Sequence, residues 1–97
     1  MQKKRGKNGR TYIWGAGAKG VTLANILAGA ATAVESLIDI NPAKQGKFCA
    51  GAGIPIEAPG QVIPRLDGAD VFVMNPLYFD EIASAVAHVK PNLILAA

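Results

Sequence analysis

The segment Thr11-Tyr12-Ile13-Trp14-Gly15-Ala16-Gly17-Ala18-Lys19-Gly20 decides the fold. A short run of β-branched and aromatic residues enters a Gly-x-Gly-x-x-Gly turn, and an apolar helical pattern leaves it. That succession is how an α/β domain builds a site for a phosphorylated nucleotide. The first glycine permits a tight turn, the second lets a ligand approach the backbone, and the third lets the helix pack against the strand. The N–H groups and dipole of the helix start favour an anion, and Lys19 adds a positive charge inside the turn. Gly15, Gly17, Lys19 and Gly20 are therefore candidate ligand contacts. Asp39 ends the next strand nineteen residues after Gly20, near the place where such folds carry a ribose-binding carboxylate.

Working outward, Lys19 to about Gly29 read as a helix with Val21, Leu23, Ala24, Leu27 and Ala28 available for packing. No charge interrupts the chain between Lys19 and Glu35. A helix on one face of a sheet normally shows water a charged stripe, so this one is expected to touch another domain or subunit, with Asn25 as its outward position. Ala33 to Ile40 read as a second strand, stopped by Asn41-Pro42. Residues 41–61 form a long Gly- and Pro-rich connection, and Gln61 to Arg65 a short helical turn. Asp70 to Met74 read as a third strand, Tyr78 to Val89 as a second long helix, and Asn92 to Leu95 as a last strand. Alternating strands and helices imply a parallel sheet with right-handed crossovers. About four strands are expected, in the order 2-1-3-4. The strand ends at Gly15–Gly20, Asp39–Pro42 and Asn75–Tyr78 then share one rim, where ligands of such sheets bind.

Composition narrows the class. Ninety-seven residues, 51% of them hydrophobic, suffice for one small domain. No run is long enough to span a membrane and no signal peptide is visible. A single cysteine, Cys49, fits a reducing compartment and reads as a small loop or core residue. A cytoplasmic location is expected. The net charge of +3 is uneven: Lys3, Lys4, Arg5, Lys7 and Arg10 supply half the basic residues, whereas from Thr11 onward five basic face seven acidic side chains. Residues 1–10 read as a basic tail or linker, and residues 11–97 as the domain. The tail has no aromatic residues for stacking and the body no basic stripe, which argues against nucleic-acid binding. No carboxylate pair, Ser–His pair or metal-ligand spacing indicates catalysis or a metal site in this chain alone. His88, late in a helix, reads as facing solvent or the helix end.

Several motifs occur together. Gly15-Ala16-Gly17-Ala18-Lys19-Gly20 is followed by Asp39-Ile40-Asn41-Pro42-Ala43-Lys44-Gln45-Gly46-Lys47, Gly53-Ile54-Pro55-Ile56 and Met74-Asn75-Pro76-Leu77-Tyr78-Phe79-Asp80-Glu81-Ile82. In this order they resemble the C-terminal domain of S-adenosylmethionine-dependent sugar C-methyltransferases, from about residue 12 to the C-terminus. The Asp-to-Lys stretch is the specific part. The resemblance implies a small Rossmann-like, three-layer α/β domain that helps form a cleft for a nucleotide-linked sugar. It also implies that zinc-binding and methyl-transfer domains lie outside this chain, which binds no cofactor itself. S-adenosylmethionine belongs to the full methyltransferase. The sequence departs from the pattern at Trp14, where a smaller aromatic is common, and at Val21, where Asn is frequent.

On this reading the substrate contacts are Lys19 and the turn amides for a diphosphate and Asp39 for a hydroxyl. Asn75 and Tyr78 form the opposite wall, with Asn41, Lys44 and Lys47 from the long loop. Each has a plainer alternative. The glycines can serve helix packing, Asp39 can hold loop amides, Lys44 and Lys47 can be solvated charges, and Tyr78 can simply be exposed. The expected partner is a methyltransferase domain, in cis or in trans, or a second copy of the chain. Two other functions compete: an NAD-binding half-domain of an oxidoreductase, and a non-catalytic interaction module.

Overall fold

The computed structural model describes residues 9–96. The basic arm Lys3-Lys4-Arg5-Lys7 lies outside the described residues. Arg10 lies inside them, and its carbonyl accepts the Asp70 N–H at 2.9 Å.

Five strands form one parallel sheet: β1 (Thr11–Trp14), β2 (Ser36–Ile38), β3 (Ile56–Glu57), β4 (Asp70–Val73) and β5 (Asn92–Leu95). Their spatial order is β3-β2-β1-β4-β5. The four strands read from the sequence are β1, β2, β4 and β5, and their order is the expected 2-1-3-4. The fifth is β3, two residues added outside β2. It was hidden because Pro55 and the neighbouring Gly and Pro residues mark loop rather than strand. Its outer edge is covered by the preceding loop: Gly46 N–H donates to the Ile56 carbonyl and Ile56 N–H to that of Lys47, each at 2.8 Å.

The strands are apolar because both faces of the sheet are covered. On one face Tyr12, Ile38 and Val71 pack with Val62, Leu66 and Val86. Val62 ends the short helix α2 (Pro59–Val62), Leu66 follows the 3-10 turn Ile63–Arg65 that continues it, and Val86 follows helix α3 (Phe79–Ala85). On the other face Ile13 and Leu37 pack with Ala24 of helix α1 (Ala18–Gly29) and with Cys49, Ile54 and Ile56. Cys49 is thus a core residue. Three layers result, as expected.

Two elements are shorter than their sequence patterns suggest. The second strand covers Ser36–Ile38 rather than residues 33–40. The helix read over residues 78–89 is a 3-10 turn at Pro76–Tyr78 followed by α3, which stops at Ala85. Val86 and Val89 still turn their side chains toward the core, so apolar spacing continues after the hydrogen bonds have changed. His88 lies exposed in the turn that follows. Among the described residues no helix is long and apolar enough to cross a membrane.

Helix α1 is fixed to the sheet by the third glycine. A Cβ on Gly20 would collide with the carbonyl oxygen of Gly15, and it would also touch Ile13 Cγ2 at 3.6 Å. Only a residue without a side chain allows this approach. Gly20→Ala should therefore destabilise the protein by about 1–3 kcal/mol, as overpacking does. Chemical denaturation measures this.

Candidate functional site

Three strand ends meet above the start of α1. Gly15 N–H donates to the Ile38 carbonyl at 2.7 Å, and Met74 N–H donates to the Trp14 carbonyl at 3.2 Å. Gly15 makes the intervening bend at φ +125, a conformation open to glycine. The ends of β1, β2 and β4 thus surround a cleft of about 680 Å³. It is large enough for a nucleotide-sized ligand.

One end of the cleft is main chain. Gly17 caps α1 without a side-chain hydrogen bond, and no acidic residue stands in the first turn. The N–H groups of Ala18, Lys19 and Gly20 therefore have no intrahelical acceptor. They and the helix dipole present partial positive charge, to which the exposed Lys19 adds a full one. The opposite side is mostly apolar: Trp14, Ile38, Pro59, Ile82 and Ala85. Glu81, Asn75 and Tyr78 bring polar groups to its mouth. Asn75 Oδ1 accepts the Leu77 N–H at 3.0 Å and so caps the following turn. Tyr78 is 51% exposed.

Of the residues read from the sequence, Gly15, Gly17, Lys19, Gly20, Asp39, Asn75 and Tyr78 come together around the cleft. Asn41, Lys44 and Lys47 do not line it. Asn41 Oδ1 accepts the Ala43 N–H at 3.0 Å, a local turn in its own loop. Lys44 Nζ donates to the Ala16 carbonyl at 3.2 Å. Lys47 is exposed and its carbonyl serves β3. Asp39 lies at the cleft, but its carboxylate already accepts two N–H groups, from Ala16 at 3.0 Å and from Asn41 at 2.8 Å.

Sequence reasoning missed Pro59, Glu81, Ile82 and Ala85, which form the wall facing the turn. Glu81 and Ile82 sat in a quoted motif, but only the crossing of the β3–β4 connection and α3 over the sheet brings them to the rim. Ile40, 74% exposed, also lines the cleft directly after Asp39.

Asn25 is exposed, as its place in the helix implied, yet it is engaged. Its amide nitrogen donates to the Val21 carbonyl at 2.9 Å and to the Ala50 carbonyl at 3.1 Å. The loop around residues 49–54 thus leans on α1, which explains part of that helix's uncharged surface. Ile26 stays 61% exposed, beside a shallow groove with Thr22, Leu23, Met74 and Ala96.

These features define a Rossmann-like α/β domain with a cleft at its switch point, where the chain crosses from one half of the sheet to the other. The profile of the C-methyltransferase C-terminal domain family matches residues 1–92, and the chain belongs to that family. No curated protein matches its sequence. A solved structure with a similar fold is that of RSP, a Rex-family repressor, at 18% identity and a TM-score of 0.69. The match covers 89% of this chain and 50% of that one, so the present chain spans about half the length of that protein.

The three glycines have separable duties. Gly17 has φ −77 and ψ −171, extended backbone open to any residue, and a Cβ there would meet nothing within 4 Å. Nothing in the packing demands glycine, and a side chain would enter open space beside the cleft. Gly17→Val should cost only about 1 kcal/mol, the loss of a tolerable helix cap. It should thus destabilise less than the smaller change Gly20→Ala, an order that paired melting curves test.

Proposed function

We propose that this domain grips the diphosphate of a nucleotide-linked sugar on behalf of an S-adenosylmethionine-dependent C-methyltransferase. The observation that carries the reading is the uncapped start of α1 opening on the cleft, with Lys19 beside it and no acidic residue in the first turn. Main-chain N–H groups and a helix dipole act together on an anion. The apolar wall with Tyr78, Asn75 and Glu81 at its mouth suits the less charged remainder, with carboxylate and amide groups for hydroxyls. Family membership supports a methyltransferase context. S-adenosylmethionine carries a sulfonium, and the positive helix start and Lys19 match phosphate rather than that cation. The cofactor, and the base that methyl transfer to carbon requires, are therefore assigned to another domain, in cis or in trans. The residues here bind and orient.

Titration calorimetry of the chain with a thymidine diphosphate-sugar, NAD and S-adenosylmethionine tests this. The sugar nucleotide should bind most tightly, though weakly, because half the cleft belongs to the partner. Lys19→Ala should weaken it about fivefold, since an exposed charge contact is worth about 1 kcal/mol. Tighter binding of NAD would replace this reading with the oxidoreductase half-domain.

The groove between α1 and β5 is the surface we assign to the methyltransferase domain or to a second copy. Since Asn25 is tied to the neighbouring loop, Ile26 is the position to change. Ile26→Lys should abolish concentration-dependent self-association, or binding of an added methyltransferase domain, without changing the fold. Sedimentation velocity distinguishes these; a wild-type monomer at all concentrations that binds no such domain removes the assignment.

A further inference from the structure

Ala16 stands between the first two glycines, and both of its backbone polar groups are held by charged side chains of one loop. Its N–H donates to Asp39 Oδ2 at 3.0 Å, and its carbonyl accepts Lys44 Nζ at 3.2 Å. The loop is itself tied down. Asn41 N–H donates to Asp39 Oδ1 at 2.8 Å, and Gln45 Nε2 donates to the Asp39 carbonyl at 2.8 Å. The Gly46 and Lys47 backbones are bonded to β3. A carboxylate and an ammonium thus grip opposite sides of one peptide segment from an anchored base.

We propose that Asp39 and Lys44 are positioning residues that preset the glycine-rich turn and act on a ligand only through Ala16. The inference rests on the reading that the cleft takes a phosphorylated ligand. Gly15 and Gly17 give the turn's backbone more accessible conformations than other residues would, and a turn left unheld would have to be ordered during binding at a cost in affinity. The brace removes that cost beforehand. It also explains how a carboxylate can stand beside an anion site: both oxygens accept N–H groups, and the Lys44 ammonium lies on the same turn. The Asp-to-Lys motif then has one purpose, to fix the start of α1 toward the cleft.

Two measurements test the proposal. In the ligand-free protein, the Ala16 amide NMR shift should follow the protonation of Asp39 in a pH titration, and Asp39→Asn should remove that response. An Ala16 amide indifferent to pH overturns the brace whatever the ligand does. In binding, Lys44→Met should weaken thymidine diphosphate about tenfold, as expected for one lost hydrogen bond to a charged group. Thymidine affinity should not change, and Lys44→Arg, which keeps a donor, should restore most of the loss. The salt dependence of thymidine diphosphate binding should keep its wild-type slope in Lys44→Met. A shallower slope makes Lys44 a direct phosphate contact and overturns its positioning role. Wild-type protein that binds no thymidine diphosphate counts against the nucleotide reading alone, while the amide titration still decides the brace.

Discussion

Helix α1 starts where it does because Gly20 places nothing over the carbonyl oxygen of Gly15. That approach draws the first turn of the helix onto the end of β1 and aims its N–H groups along the rim. The ends of β2 and β4 are then joined to the same place, by the bonds from Gly15 to Ile38 and from Met74 to Trp14. A side chain at position 20 would push the helix outward and open all three junctions together. The cleft is a product of this contact before it is a product of any ligand-facing residue.

The two sides of the cleft are built differently. The turn side is backbone, fixed by glycines and by a loop whose charged residues reach across to Ala16. The facing side is side chain, supplied by Trp14, Pro59, Ile82 and Ala85. Polar direction therefore comes from one wall and shape from the other. Arg65, on the crossing connection, is bonded at 2.7 Å to Glu57 at the end of β3. The Glu57 hydrogen bond raises the Arg65 pKa above its ordinary value. As a partly exposed pair it contributes little to stability.

Much of the fold was legible because local and global demands agree. β1 and β5 are short β-branched or apolar runs, the one stopped by Gly15 and the other entered after Pro91, and the Gly-x-Gly-x-x-Gly turn fixes what lies between β1 and α1. β3 was not legible: two residues after a proline become a strand only because β2 offers them an edge. The length of α3 was overread because Val86 and Val89 keep a helical burial spacing in a stretch of turns. At the site, Asp39 was found for its position, but not its duty. A strand-end carboxylate looks alike in sequence whether it meets a hydroxyl or a neighbouring N–H. Lys44 gave no signal of reaching Ala16, twenty-eight residues earlier, because that contact depends on how the loop folds back.

A recognition surface made of peptide N–H groups carries no identity that a side-chain truncation can erase. Ala16 and Ala18 are already alanine, and the amide of Lys19 persists through most replacements. A conventional alanine scan would report Gly20 as a packing defect and Lys19 as a lost ammonium, and would say nothing of the N–H groups themselves. Divergent copies of the domain could likewise exchange the exposed Ala18 or Lys19 and retain the same N–H groups. Added volume acts differently: at Gly20 the packing cannot absorb it, and at Gly17 it enters the space beside the cleft, so the informative experiment at this rim is to enlarge residues rather than to shorten them.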